Sequence, residues 1–355
     1  MYAIVTIALV TLTATALHEP TQGDVTLCVA KGLKWLAAQQ KTDGSWVGRN
    51  DRNSITVTAF AGLALLMEGS TLKHGTYAPE LRMAVAWFAK NAAENGRLAN
   101  GPAEDARNIQ GHAHALMFLS SAYDTDDDHA RRKQLGRLIE RAVAFATDSQ
   151  GKRGGWGVAS VSERTDDDSL STILMLQGLF AARKAGIEVP KTLTDKGTDY
   201  LAKATSATGG VFTRMIEANS PGSGAGQPQL TAGSVATHLM HDGPRPPVLT
   251  RWVGNLKPST SIRPRQNAGA MFTHLQFARV AFALGENGHR KIDPTARDAD
   301  LLSWSSYRTA TYETLKSDQL ADGNWPDMLN GPVYSTSLAL IILQLDNDYL
   351  PAFAR

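Results

Sequence analysis

Three consecutive carboxylates, Asp166-Asp167-Asp168, stand immediately before an apolar helical pattern that starts near Ser169. Crowded like charges raise one another's pKa, so such a run can keep one carboxyl protonated and ready to donate a proton. The same placement suits a helix N-cap, where a carboxylate accepts orphan N–H groups and meets the positive end of the helix dipole. The cap accounts for all three acids and is preferred here. Histidines are the next candidates. His112 and His114 are two apart, which on a helix turns them to different faces and away from one shared metal. His112 is expected at the cavity mouth, and His114 packed or exposed. His238 and His241 share a face, but they end a helix just before Gly243, where an imidazole complements the C-terminal dipole. Asp124, Asp126 and Asp128 mimic the start of an EF-hand loop, yet His129 stands where that loop needs Gly and Leu135 where it needs Glu. No nucleophile elbow, phosphate loop or dinucleotide fingerprint is present, and no motif calls for a cofactor.

Bulk properties narrow the field. The chain has 355 residues, 43% hydrophobic and 20% charged, with a formal net charge of +2. That is a globular composition without the concentrated basic patch that nucleic-acid binding needs. Cys28 is the single cysteine, so an internal disulfide and a cysteine-rich metal site are both excluded. Its neighbours Leu27, Val29 and Leu33 mark it as a buried thiol of the first helix. Tyr2–Ala16 is uncharged and mostly apolar, too short for the ~20 residues of a membrane-spanning helix, and ends in the small residues Ala14-Thr15-Ala16. Residues 1–16 therefore read as a signal peptide, 17–27 as a linker and 28–355 as one domain. A periplasmic or secreted location, with no transmembrane anchor after cleavage, is expected.

The elements that must position these residues repeat. Glycine-centred turns occur at Asp43-Gly44-Ser45-Trp46, Asn95-Gly96-Arg97-Leu98, Gly154-Gly155-Trp156, Gly209-Gly210-Val211-Phe212 and Asp322-Gly323-Asn324-Trp325. They recur roughly every 50–60 residues, with one double interval where the turn at Lys257-Pro258-Ser259 has lost its glycine. Taking Gly44, Gly96, Gly155, Gly210 and Gly323 as equivalents, each allows a positive φ as the chain leaves a helix. The residue after the turn can then pack back over that helix end. An amphipathic helix precedes each turn, near Leu81–Asn91, Leu135–Thr147, Leu193–Ala204, Val248–Leu256 and Trp304–Ser317. A helix apolar nearly all round follows, near Ile55–Leu66, Ile109–Ala122, Ser169–Ala185, Thr231–Met240, Ala268–Leu284 and Val333–Leu345. Such a helix is buried on every face. Six pairs with the apolar members inside predict an all-α (α/α)6 toroid, closed on itself.

The turns, together with Gly111-His112 leading into Ala115-Leu116-Met117-Phe118, Asp168 followed by Ser171-Thr172, Ile187-Glu188-Val189-Pro190, Thr231-Ala232-Gly233, Gly331-Pro332-Val333-Tyr334-Ser335-Thr336 and Tyr349-Leu350-Pro351, resemble the prenyltransferase and squalene-oxidase repeat family. The resemblance spans roughly residues 28–351 and is nearest an exported bacterial branch of unknown activity. It implies the αα-toroid of terpene cyclases and protein prenyltransferases. Class II cyclases of that family protonate an alkene through a D-x-D-D motif, and the matching location here reads Thr165-Asp166-Asp167-Asp168, with Thr165 in place of the first acid. Their cavities stabilise carbocations with aromatic rings, whereas aromatics make up 7% of this chain. The zinc site of the prenyltransferases needs a cysteine among its ligands, and Cys28 lies in an external helix, so no metal site is carried over.

In a toroid the N-termini of the enclosed helices gather at one mouth. Ser54, Thr56, His112, Asp168, Thr172, Thr231, Gln266, Asn267, Tyr334, Ser335 and Thr336 are predicted there, each with a capping role open beside a binding one. Among them Thr56, Thr172, Thr231, Tyr334 and Thr336 are the binding candidates. The expected function is the binding of an apolar or isoprenoid-like small molecule, or a protein partner, at the central cavity. A cyclase-like isomerase or lyase with Asp167 or Asp168 as acid and His112 assisting is one alternative. A purely structural interaction module is the other.

Overall fold

A computed structural model of the chain describes residues 22–100, 108–159, 167–215, 226–239, 245–256 and 270–353. Asp166, His241, Gln266, Asn267 and the turn at 257–259 lie outside them, as does the predicted signal segment. The described residues form helices and three isolated β-bridges, without a strand.

Six helices make the inner ring: α2 (Ser54–Met67), α4 (Asn108–Asp124), α6 (Ser169–Lys184), α8 (Pro228–Leu239), α10 (Ala270–Leu284) and α13 (Pro332–Leu343). Each packs on the next, and α13 packs on α2, which closes the ring. The outer helices are α1 (Gln22–Ala38), α3 (Ala78–Asn91), α5 (His129–Asp148), α7 (Lys191–Lys203), α9 (Leu249–Asn255) and α12 (Trp304–Asp318). A short α11 (Gly288–Ile292) lies between α10 and α12. Helix α1 starts at Gln22, inside the stretch 17–27 assigned above to a linker, and buries Val25 ahead of Cys28. Burial pushes the Cys28 thiol up to about 11, which makes it an inert structural cysteine.

The sequence contrast between the two rings is a contrast of burial. Every residue of α2 except Thr56 is buried, and every residue of α6 except Leu170, Arg183 and Lys184. The outer helices bury one stripe only; in α5 that stripe is Leu135, Leu138, Ile139, Ala142, Val143 and Ala146.

The turns show why the period carries glycine. Gly44, Gly96, Gly154, Gly209 and Gly323 have φ between 84° and 105°. In the two Gly-Gly turns the left-handed residue is thus the first glycine, not Gly155 or Gly210 as the sequence suggested. Gly155 is small for a different reason: a Cβ there would lie 2.7 Å from Thr172 Oγ1 and 2.9 Å from the Tyr200 ring. Each left-handed glycine also presses on a backbone carbonyl of the next outer helix. A Cβ would come within 2.4 Å of Met83 O at Gly44, 2.1 Å of Arg141 O at Gly96 and 2.8 Å of Lys196 O at Gly154. At Gly209 it would lie 2.0 Å from Arg251 O, and at Gly323 2.6 Å from Lys31 O, the last contact joining the end of the chain to its first helix.

Side chains hold these turns from both sides. The indole N–H groups of Trp46, Trp156 and Trp325 donate to Leu36 O, Ala146 O and Leu315 O at 2.7–2.8 Å, satisfying last-turn carbonyls of α1, α5 and α12. Gln40, Gln150 and Gln319 each donate from Nε2 to the turn glycine's carbonyl and to a carbonyl of the next outer helix, at 2.8–2.9 Å.

Candidate functional site

The first turns of the inner helices converge, and a cavity of about 210 Å³ opens among them. Its polar side carries Asn53, Thr56, Asn108, Gln110, His114, Asn330 and Tyr334. Its apolar side is Ile55, Leu98, Leu170, Leu174 and Phe272. Five inner helices contribute, and the incompletely buried inner-ring residues Thr56, Gln110, Gly111, Leu170, Phe272 and Tyr334 are among the lining.

Of the predicted binding residues, Thr56 and Tyr334 line this cavity. Thr172, Thr231 and Thr336 are completely buried elsewhere, each with Oγ1 accepting the turn N–H of Trp156, Val211 or Trp325 at 3.0 Å. Thr58 does the same for Trp46 at 2.9 Å. In the second repeat the acceptor is an imidazole: Leu98 N–H donates to His112 Nδ1 at 3.1 Å. That bond sets the tautomer, so His112 Nε2–H donates to Ala142 O at 3.0 Å. These five sites join each turn to the inner helix that follows it. They are fixings of the repeat, and His112, placed at the mouth by its sequence, is one of them. Ser335 likewise donates to Trp325 O, and Ser54 accepts from Asn100 Nδ2 at 3.0 Å.

The two described acids each accept from backbone, although Asp168 Oδ2 is buried with no hydrogen-bond partner among the described residues. Asp168 is the N-cap of α6, accepting from Ser171 N at 2.9 Å. Asp167 Oδ2 accepts from Gly155 N at 3.2 Å, and a side chain at Gly151 would collide with its carboxylate. Tyr200 O–H closes the same corner by donating to Asp167 O at 2.6 Å. Burial raises the Asp168 carboxyl above its ordinary value, the direction an acid catalyst needs, while its bonds to Ser171 pull it back. Neither carboxylate lines the cavity.

His114, by contrast, stands at the cavity wall. Its ring packs on Phe60 with centroids 4.4 Å apart, and Nδ1 lies 3.4 Å from Thr56 Oγ1. Its Nε2 is buried and has no hydrogen-bond partner among the described residues. Burial, and after it the positive charge of Arg279, holds the imidazole down to about 3, so it is neutral at physiological pH. Arg279 is itself 2% exposed in the toroid interior. It donates to Gln177 Oε1 at 2.7 Å, and Gln177 in turn donates to Thr237 Oγ1 and Gln276 Oε1. The end of the chain lies beyond it: Phe353 packs against the Arg279 guanidinium at 4.9 Å, and Lys184 donates to Pro351 O at 3.0 Å.

A larger groove of about 830 Å³ lies along α7, with Phe180, Arg183, Lys191, Thr198, His238 and Arg245 in its walls. Its polar groups are largely tied to one another, as in Lys191–Asp195 at 2.6 Å and Thr198–His238 at 3.0 Å. His238 is buried there, with Nδ1 also bonded to Ser234 O at 2.8 Å. Among the described residues no cluster of histidine, cysteine and carboxylate could hold a metal ion, and no helix is long and apolar enough to cross a membrane.

The toroid fold recurs in proteins of known structure. The chain shares the (α/α)6 toroid of two enzyme classes. The GH76A α-1,6-mannanase of Salegentibacter sp. HEL1_6 is 10% identical, with a TM-score of 0.63 over 90% of this chain and 98% of that one. The type II terpene cyclase MstE from Scytonema is 12% identical, with a TM-score of 0.56 over 92% of this chain and 100% of that one. A protein from Actinoplanes is 14% identical, with a TM-score of 0.55 over 91% and 99%. No protein-family model and no curated protein sequence matches the chain. At these identities the likeness is one of fold.

Sequence reasoning missed Thr58, His114 and Arg279. Thr58 was within reach, because it occupies the register in α2 that Thr172, Thr231 and Thr336 occupy in their helices. His114 and Arg279 carry no such signal, since only the closed ring shows which face of an inner helix meets the axis.

Proposed function

We propose that this toroid is a binding protein whose mouth cavity holds a small molecule with both apolar and hydrogen-bonding parts, without terpene-cyclase chemistry. One observation carries the reading: the cavity joins an apolar wall to amide, hydroxyl, phenol and imidazole groups, while Asp167 and Asp168 each accept from a backbone N–H and neither lines it. A volume of about 210 Å³ falls below the ~300–1,000 Å³ of common ligand pockets. That favours a compact ligand over the geranylgeranyl dihydroxybenzoate bound by MstE. Among the described residues, Phe272 and Tyr334 are the aromatic side chains of the lining besides the imidazole, fewer than an enclosing aromatic cage for a carbocation requires. A glycosidase needs two carboxyl groups flanking the scissile bond, and the described lining offers amides, a hydroxyl, a phenol and an imidazole instead.

A protein partner over the mouth is the second reading. It is favoured by Met328 and Leu329, 81% and 57% exposed on the loop that also carries the lining residue Asn330. Export through the predicted signal segment completes the proposal; amino-terminal sequencing of the mature protein should find a start near residue 17.

Native mass spectrometry of the protein purified from its own host, with extraction of what it carries, tests the central claim. A small adduct that His114→Phe removes is the expected result. A protein of bare mass, unchanged in melting temperature by such an extract, would end the small-molecule reading and leave the partner reading standing.

A further inference from the structure

Asparagine followed by glycine is a chemically reactive pair. The glycine nitrogen can attack the side-chain amide carbon, because no Cβ on the glycine shields it. Four such pairs occur in the chain: Asn95-Gly96, Asn100-Gly101, Asn287-Gly288 and Asn330-Gly331.

Three of the four side chains are tied. Asn95 Oδ1 accepts from Arg97 N at 3.2 Å, Asn100 Nδ2 donates to Ser54 Oγ at 3.0 Å, and Asn330 Nδ2 donates to Asp327 Oδ2 at 3.3 Å. Two of the attacking nitrogens are tied as well, Gly96 N–H on Ala93 O at 2.9 Å and Gly331 N–H on Asp327 O at 3.1 Å. Asn287 differs. It is exposed, it precedes α11, and its side chain makes no capping bond to that helix. Ring closure requires its ψ, −1° here, to rotate, so the first turn of α11 must open. That helix has five residues, and the bond from Lys291 N to Asn287 O is long at 3.2 Å. A helix of one turn opens locally at little cost.

We infer that Asn287-Gly288 is a site of spontaneous covalent modification that loosens the connection between α10 and α12. A bond forms from Gly288 N to Asn287 Cγ and the Cγ–Nδ2 bond breaks. The amide leaves as ammonia, taking the proton of Gly288 N. Water then opens the cyclic imide at either carbonyl and leaves an aspartate or an isoaspartate, with nothing oxidised or reduced. The isoaspartate routes the backbone through the former side chain and lengthens it by one carbon. Bonds on both sides of the site fix the original length. Trp304 N donates to Gly285 O at 3.0 Å, and Leu302 N donates to Nδ1 of the buried His289 at 3.0 Å. The longer backbone cannot keep both.

Incubating the full chain in mildly alkaline heavy-oxygen water, followed by peptide mapping, tests the inference, because each newly formed carboxyl carries the label. The tryptic peptide Val280–Arg290 should gain label at least roughly fivefold faster than those holding Asn95, Asn100 or Asn330, the factor that one ordinary hydrogen bond confers. Gly288→Ala, whose Cβ meets Leu284 Cβ at 3.3 Å, should suppress label in that peptide and leave the other three unchanged. Asn287→Gln, which disfavours the five-membered ring, should do the same. In the isoaspartate fraction, separated by chromatography, the amide of Leu302 or Trp304 should exchange with solvent at least roughly fivefold faster than in the unmodified chain. Even labelling over the four pairs, or fastest labelling at Asn100, overturns the site. An isoaspartate fraction with both amides as protected as before overturns the loosening.

Discussion

His112 and His114 are two residues apart on α4, both buried and both held neutral by burial, at about 4 and about 3. They do opposite work. His112 has both ring nitrogens engaged with backbone, on Leu98 N and Ala142 O. His114 lines the cavity, and its buried Nε2 has no hydrogen-bond partner among the described residues. The same division runs around the mouth. On the α6 side Asp167, Asp168, Thr172 and Tyr200 bond one another and the turn backbone. On the α2, α4 and α13 side Thr56, His114 and Tyr334 face open space. A polar residue at a helix N-terminus therefore indicates nothing about binding until its hydrogen bonds are traced.

The comparison breaks most severely where the fixings themselves are removed. Gly209→Ala combines a left-handed φ of 92° with a Cβ only 2.0 Å from Arg251 O. Backbone strain and overpacking each cost about 1–3 kcal/mol, so a loss of about 3–5 kcal/mol or failure to fold is expected. Gly186→Ala is its control, with φ at 85° and no atom within 4 Å of the new Cβ, so that about 1 kcal/mol should be lost. Equal denaturation midpoints for the two variants would refute the role given to contact between turn and outer helix.

Acid comes next in size. His112 and His274 are pushed down to about 4 and His114 to about 3, all chiefly by burial, against ~6.5 in an unfolded chain. The folded state favours the neutral form, so the stability these residues supply is complete above pH ~6.5 and is lost as pH falls through about 4. For His112 the full loss is about 3 kcal/mol. His112→Thr installs the residue that other repeats use for the same bond, and should flatten part of the fall in urea midpoint between pH 7 and 4.5. An unchanged slope would show that another group titrates.

How much of this was legible in sequence depends on what repeats. The six pairs, the closure and the outer–inner contrast follow from period and burial pattern, and the observed helices agree to within a few residues. The turn glycine was legible at Gly44, Gly96 and Gly323, and only as one of a pair in the two Gly-Gly turns, because φ cannot be read from Gly154-Gly155. Thr172, Thr231 and Thr336 were found as polar residues at the right end of their helices, but fixing and binding draw on the same residue types. The cavity was legible only in part: Thr56 and Tyr334 were placed at the mouth from sequence, and the rest of its lining was not. It is built from residues on α2, α4, α6, α10 and α13, and their convergence exists only in the closed ring.

Smaller effects sharpen the contrast between the two sides of the mouth. Thr172→Val removes the acceptor of Trp156 N and the donor to Asp168 O, both buried, and should cost about 2 kcal/mol. His114→Phe keeps the packing on Phe60 and discards an unpartnered nitrogen, so stability should change by less than about 1 kcal/mol, with a gain expected. Thermal melts of the two variants should therefore move apart, although both replace a buried polar side chain near the same mouth. Melts that fall together would mean that His114 has a structural partner.

Asp168→Asn gives the smallest expected effect and bears most directly on the acid chemistry that the triplet first suggested. Asparagine caps a helix about as well as aspartate, so stability at pH 7 should stay within about 0.5 kcal/mol, where Asp168→Ala should lose about 1 kcal/mol. The pH dependence carries the sharper sign. Because burial raises the folded pKa of Asp168, the folded chain takes up that proton before the unfolded chain does. This group therefore adds stability as pH falls into the window between its raised pKa and the ordinary 3.8, opposing the histidines. Asp168→Asn should remove that contribution. A proton donor would behave otherwise: conversion of a bound substrate would stop in Asp168→Asn while binding persisted. Finding that outcome would move Asp168 from the cap of α6 to the centre of a reaction.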